Sequence, residues 1–293
     1  MERRKLDFDW NRVVLVDFEM PLRRYRRYLE DQGFRESTVE SYVGNVGRYL
    51  KFAKTDRPTT DTATCFRDTL HDKNLARSTI NNYSFAMACY HGMYGEEVSF
   101  PFMKRNDEIP CYFDEEEVER VFSACHDLMH LAMLQTLFYG CLRASELCNI
   151  DDRDLDLKKL TIHVREGKGG KDGIAYISED CAGILKQYLA VRPLHELDGG
   201  QPLFYTIYGN RWDRRDVHRM FHCYKKKAGI EKAGGVHVFA RHTAATILVA
   251  NGCDLRHVKE LLRHKDIRTT LRYAHVGEKT LRERYDRCLT LGL

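Results

Sequence analysis

Three features of the sequence predict a mainly α-helical chain of two domains, the second carrying a small β-hairpin or sheet in an α+β arrangement. Between Pro21 and Tyr90, apolar residues recur at helical spacing in four successive segments. The stretch 99–113, SFPFMKRNDEIPCYF, has two prolines, a charge cluster and no period, which marks a linker. Further on, the alternating stretches 160–165 and 173–178 flank the turn Glu166-Gly-Lys-Gly-Gly-Lys-Asp172, the pattern of a hairpin. The expected units are therefore a helical domain over 1–98, a linker over 99–113 and a larger domain over 114–293 ending in a tail helix. At 293 residues and 43% hydrophobic content, the chain is long enough for two cores.

Each element has a local reason. Pro21 to Asp31 carries Arg23, Arg24, Arg26 and Arg27 around Tyr25 and Tyr28. Such a basic, aromatic surface suits phosphates, and a solvated face over packed tyrosines gives the same pattern. Ser37-Thr38-Val39-Glu40 resembles a capping box before a stripe of Val39, Tyr42, Val43, Val46, Tyr49, Leu50 and Phe52 that reads as core. A third helix covers about Thr60 to His71. A fourth begins near Ser78 and turns Ile80, Tyr83, Phe85, Met87 and Tyr90 inward. Beyond the linker, Asp114 and Glu117 form a second capping-box pattern, and Leu128 to Gly140 is apolar enough to be buried. Arg143 opens a short helix with Glu146 one turn on. Glu179 to Val191 reads as amphipathic, and Asp213 to Ala228 as a basic helix ending in Lys225, Lys226 and Lys227.

Composition narrows the function. The net charge of +4 is unevenly placed: residues 204–293 hold 19 Lys and Arg against 9 Asp and Glu, and residues 1–203 hold 28 against 34. A basic last third suits a polyanion. No run approaches the roughly 18 apolar residues of a membrane span, and the start MERRKLDFDW lacks a signal peptide's apolar core, so a cytoplasmic protein is expected. The ten cysteines contain no CxxC pair, which fits reduced core residues. His126 and His130 stand four apart, a metal-ligand spacing, with no third ligand near. Neither a metal nor a cofactor is implied.

The richest stretch runs from Phe239 to Val276. Arg241 and His242 open an Ala-rich helix that breaks at Asn251-Gly252, and Asp254 can cap the next. Arg263-His264-Lys265-Asp266 follows, and nine residues after His264 comes Tyr273, among Arg268, Arg272 and His275. These cations would attract a phosphate and could lower the phenol's pKa. A core tyrosine on an amphipathic helix with a solvated basic face reads the same residues differently.

Arg143 in GCLRASEL, Lys168 in GKGGK, Arg241-His242, His264 in LRHKD and Tyr273 in TTLRYAHV together resemble the tyrosine recombinases, in order and in spacing, over roughly residues 16–288. The whole chain is similar to the Xer-type members, and several expectations follow. The fold would be a helical core-binding domain and a catalytic domain that clamp duplex DNA. Tyr273, rather than Tyr285, would attack a DNA phosphodiester to give a 3′-phosphotyrosyl link. Arg143 and Arg241 would bind the non-bridging oxygens, Lys168 would protonate the leaving 5′-oxygen and His264 would hydrogen-bond the phosphate. Glu146 would orient the site, and Arg23, Arg24, Arg26, Arg27 and Lys225 to Lys227 would contact DNA. The enzyme would need no ATP and would work as a homotetramer on its site, associated with the nucleoid, in dimer resolution or element integration. The tail stripe Leu281, Tyr285, Cys288 and Leu289 would dock on the next protomer or pack on its own domain.

One departure stands out. The family's pattern puts a histidine three residues before the second arginine, where this chain has Val238, whereas His237 lies four before. A one-residue irregularity at the helix start would let His237 serve. Without it, an accessory DNA-binding protein with a weakened site is the alternative. A type IB topoisomerase would share the tyrosine chemistry.

Overall fold

The computed structural model describes residues 18–104, 111–165, 172–193, 201–274 and residue 285. The chain divides into two compact units, 1–106 and 107–293.

The first unit holds four helices: α1 (Glu19–Asp31), α2 (Glu36–Ala53), α3 (Thr60–Asp72) and α4 (Arg77–Gly92). Their stripes meet around fully buried Leu29, Val46, Leu50 and Met87. The buried tyrosine hydroxyls are satisfied locally, as buried donors must be: Tyr25 donates to the Ala86 carbonyl at 2.8 Å, and Tyr49 lies 3.0 Å from His91 Nε2. Two expected core residues face outward, Phe52 at 44% exposed and Phe85 at 50%. At about 100° per residue, Phe85 falls opposite the stripe it was grouped with, and Phe52 falls beyond the flank of its own. Phe52 lies tilted against Phe66, with ring centroids 5.1 Å apart, and Phe85 lies beside Phe102. The capping box at Ser37 does not form. Arg35 is the N-cap, and the helix already begins at Glu36, inside which Ser37 falls.

The stretch read as linker is pinned at both ends. Asn81 exchanges two hydrogen bonds with the Met103 backbone, at 2.9 and 3.0 Å, which ties 101–104 to the first unit. Phe113 is fully buried in the second unit, and its N–H donates to Thr243 Oγ1 at 3.0 Å.

The second unit starts at α5 (Glu115–Ser123), where the Asp114–Glu117 capping box is present. Then come α6 (Leu128–Tyr139), α7 (Ala144–Cys148) and an antiparallel sheet of β1 (Leu155–Asp156), β2 (Thr161–Val164) and β3 (Gly173–Tyr176), paired in that order. The two-residue β1 is too short to show a period. Next are α8 (Glu179–Val191) and α9 (Arg214–Lys227), then a π-helical turn, Val238–Thr243, that runs into α10 (Ala244–Ala250). The last elements are α11 (Leu255–Leu261) and α12 (Arg268–Leu271). Buried α6 packs against α8 and the π-helical turn. Phe239 anchors that turn, with its ring 5.0 to 6.2 Å from those of Phe113, Phe122, Phe138 and Phe221. No helix among the described residues is long and apolar enough to cross a membrane.

Candidate active site

The π-helical turn organises the site. An α-helix places residues three or four apart on one face, whereas a π-turn, with its i→i+5 hydrogen bonds, accommodates one residue more. Phe239 and Ala240 point into the core, and His237 and His242, five apart, come to 4.9 Å between ring centroids. The irregularity that the displaced histidine called for is therefore present. His237 lies close to Arg241 and Arg143, whose charges act on it.

Arg241 is 1% exposed. Its fork donates to the Cys141 carbonyl at 2.5 Å and to the Leu262 carbonyl, which joins the turn after α6 to the end of α11. Burial first, and then the charge of Arg143, pushes its pKa down to about 10. Arg143 is the N-cap of α7. Its backbone N–H donates to Glu146 Oε2 at 2.9 Å, and its guanidinium pairs with Oε1. Glu146 stays ionised even though burial opposes it, because Arg263 and Arg143 hold its carboxyl below the usual range. Two guanidinia, those of Arg143 and Arg263, thus share one carboxylate with the charge of Arg241 nearby, and such a cluster is suited to an anion.

Tyr273 is 2% exposed and belongs to a small core with Cys141, Ala245, Val258 and Leu262. Its hydroxyl lies 2.6 Å from Nδ1 of His242. The phenol is not lowered as the surrounding cations suggested. Burial outweighs Arg272 and Arg241 and pushes its pKa up to about 12. His264 Nδ1 lies 2.9 Å from Thr270 Oγ1, a contact that ties the histidine to α12. Burial and then Arg241 and Arg143 push His264 down to about 3, and burial and then His237 push His242 down to about 4. Burial, and then the charges of Arg241 and Arg143, likewise push His237 down to about 4. That residue keeps an exposed face, which blunts the burial contribution and leaves the cations as the lasting cause.

The structure thus brings together Arg143, Glu146, His237, Arg241, His264 and Tyr273. Lys168 and the tail stripe around Tyr285 lie outside the described residues, save Tyr285 itself, which is exposed. The basic residues divide. Arg24 and Arg27 are exposed, whereas Arg23 pairs with Glu19 and Arg26 with Glu36. Lys226 and Lys227 are exposed, but Lys225 is buried and donates to the carbonyls of Lys232 and Gly234, so its ammonium closes a loop and is not offered to a ligand. The sequence pattern contains His242 and Arg263 beside motif residues but gives neither a role. Only the π-turn and a left-handed backbone reveal where they point. No group of three or more metal-binding side chains gathers among the described residues.

Comparison with known proteins agrees with this geometry. Residues 112–280 match the model of the phage integrase family. The tyrosine recombinase XerA of Pyrococcus horikoshii is 30% identical over 268 residues, spanning 89% of this chain and 91% of that protein. The crystal structure of a XerA recombinase aligns with 93% of this chain and 99% of its own, at 29% identity and a TM-score of 0.56. A XerH site-specific recombinase in a post-cleavage complex with its difH substrate shares the fold, at 19% identity, a TM-score of 0.67 and coverage of 85% and 79%. The chain belongs to the phage integrase family, as a Xer-type tyrosine recombinase.

Proposed function

We propose that this recombinase cuts and rejoins duplex DNA at a specific site through a covalent 3′-phosphotyrosyl intermediate. The observation that carries this reading is the Tyr273 hydroxyl, 2.6 Å from a neutral imidazole, in a site where Arg143 and Arg241 are held by fixed partners. Tyr273 Oη attacks the phosphorus of a phosphodiester, its proton passing to His242 or His237. The bond from phosphorus to Oη forms as the bond to the 5′-oxygen breaks, and Lys168 supplies the proton to that leaving oxygen. Arg143 and Arg241 take up the charge that develops on the non-bridging oxygens, where preorganised donors act most strongly. His264 donates to the same phosphate. One phosphodiester is exchanged for another, so the reverse attack by a 5′-hydroxyl of a partner strand needs no energy source.

Exchange of one strand pair gives a Holliday junction, and exchange of both calls for four copies on two duplexes. The DNA-bound state of the XerH relative supports duplex DNA as the partner here. The exposed Arg24, Arg27, Lys226 and Lys227 are available for its phosphates. The π-turn that returns His237 to the site weighs against an accessory protein with a decayed centre.

A nicked duplex carrying the recombination site, from which the 5′-hydroxyl fragment diffuses away, tests the reading. The native protein should become covalently attached through Tyr273, identified by peptide mapping. Tyr273→Phe should bind the same DNA and form no adduct. Attachment through another residue would overturn the assignment.

A further inference from the structure

Arg263 adopts φ 53°, in the left-handed region where a side chain is disfavoured and glycine is the unstrained choice. Its side chain nevertheless turns inward, with 12% exposed. The guanidinium donates to the carbonyls of Leu261 at 3.0 Å, Gly140 at 3.4 Å and Cys141 at 3.0 Å, and to Glu146 Oε2 at 3.0 Å. Two of these acceptors are shared. The Cys141 carbonyl also accepts from Nη1 of Arg241, and Glu146 also accepts from Arg143. Across from it, β3 makes room: a Cβ on Gly173 would lie 2.8 Å from Arg263 Cδ. A strained backbone persists where its surroundings fix it, and such strain gathers at functional sites.

We propose that Arg263 is a positioning residue that ties the two phosphate-binding arginines into one rigid unit, fixing Arg143 through Glu146 and Arg241 through the Cys141 carbonyl. The proposal rests on the reading of Arg143 and Arg241 as the phosphate clamp. Its Nη2 serves both of these acceptors while Nη1 reaches the Leu261 and Gly140 carbonyls, a pattern of four acceptors that a lysine's single ammonium cannot reproduce. The charged and titratable groups facing Glu146 are Arg263 from the end of α11, Arg143 from the start of α7, Arg241 from the π-turn and Cys141 from the turn after α6. Of the cations, Arg263 acts most strongly. Without it, burial still penalises the Glu146 carboxylate, so its pKa rises. Glu146 then takes up a proton at higher pH and releases its hold on Arg143.

Single-turnover cleavage of the nicked duplex as a function of pH, with thermal melting and DNA binding alongside, tests this. Arg263→Gly accepts the left-handed backbone without strain. It should bind DNA as the native protein does and cleave about 10- to 100-fold more slowly, with the acid limb of the rate profile moved to higher pH. A merely structural role would lower melting and leave that limb in place. Gly173→Ala sets a methyl against Arg263 Cδ and should give the same slow cleavage and shifted limb, yet have no effect when added to Arg263→Gly. A folded Arg263→Gly protein with the native rate and profile overturns the proposal. Should that variant melt too low to assay, a native rate and profile in Gly173→Ala overturns it instead. Absence of an adduct from the native protein overturns the reading of the site, and the proposal with it.

Discussion

The Tyr273 hydroxyl and His242 Nδ1, 31 residues apart, lie 2.6 Å from each other, with the tyrosine 2% exposed. Both groups are neutral in the free protein, since burial first pushes the phenol up to about 12 and the imidazole down to about 4. The proposed nucleophile therefore rests beside a proton acceptor, and would be activated only when charge arrives to favour the phenolate.

His242→Phe should leave that buried hydroxyl unpaired, at a cost of about 1–3 kcal/mol in stability. Loss of the acceptor should slow adduct formation by about 100-fold or more, the lower range for a general base, with DNA affinity unchanged. Adduct formation at the native rate would mean that the proton leaves by another route.

Arg241→Lys tests the buried fork. A lysine can reach only one of the Cys141 and Leu262 carbonyls; Cys141 keeps Arg263 as a donor, whereas Leu262 loses this one, which should cost about 1–3 kcal/mol in chemical denaturation. Cleavage should fall much further than stability, because the proposed two-point grip on the phosphate would be lost as well. A variant equal to native protein in both measurements would show that a point charge suffices.

Acidification should destabilise the protein through its depressed histidines. Native His242 and His264 stay neutral down to about 4 and about 3, whereas unfolded histidines take up protons below about 6.5. Their contribution is thus complete above that pH and is lost as pH falls towards their folded values. Melting temperature should already drop between pH 6.5 and 5, above the range where Glu146 and Asp151, whose folded pKa values are lowered, add their own loss. His264→Asn, which can keep a hydrogen bond to Thr270, should flatten this drop, and an unchanged slope would remove His264 from the account.

Lys225 and Lys226 are adjacent and should behave oppositely. Lys226→Ala should reduce the log–log salt slope of DNA binding by about 0.9, one phosphate contact, and leave melting unchanged. Lys225→Met should lower melting, because the carbonyls of Lys232 and Gly234 lose their donor, and should leave the salt slope unaltered. Reversed outcomes would show that the loop, not the helix face, meets the DNA.

What the sequence by itself determined was the order of elements, the family, and which residues to propose as the reacting groups. Apolar spacing located α2 and α4, a capping box located α5 and continuous apolarity located α6, while Arg143, Arg241, His264 and Tyr273 were legible as candidates from residue type and spacing. Tertiary structure decided facing, environment and charge. Phe52 and Phe85 fell outside the core because a stripe drawn from apolar residues ignores which side of the helix each occupies. Lys225 left the basic surface because its neighbours' carbonyls lie across a loop. The phenol of Tyr273 rose, not fell, because desolvation depends on the residues folded around it, and these come from distant segments such as Cys141 and Ala245. The π-turn that returns His237 to the site was legible only as a missing register. It forms because Phe239 is locked among four aromatic rings while Arg241 reaches the carbonyls of Cys141 and Leu262, and the extra residue between core and site is taken up where both ends are held.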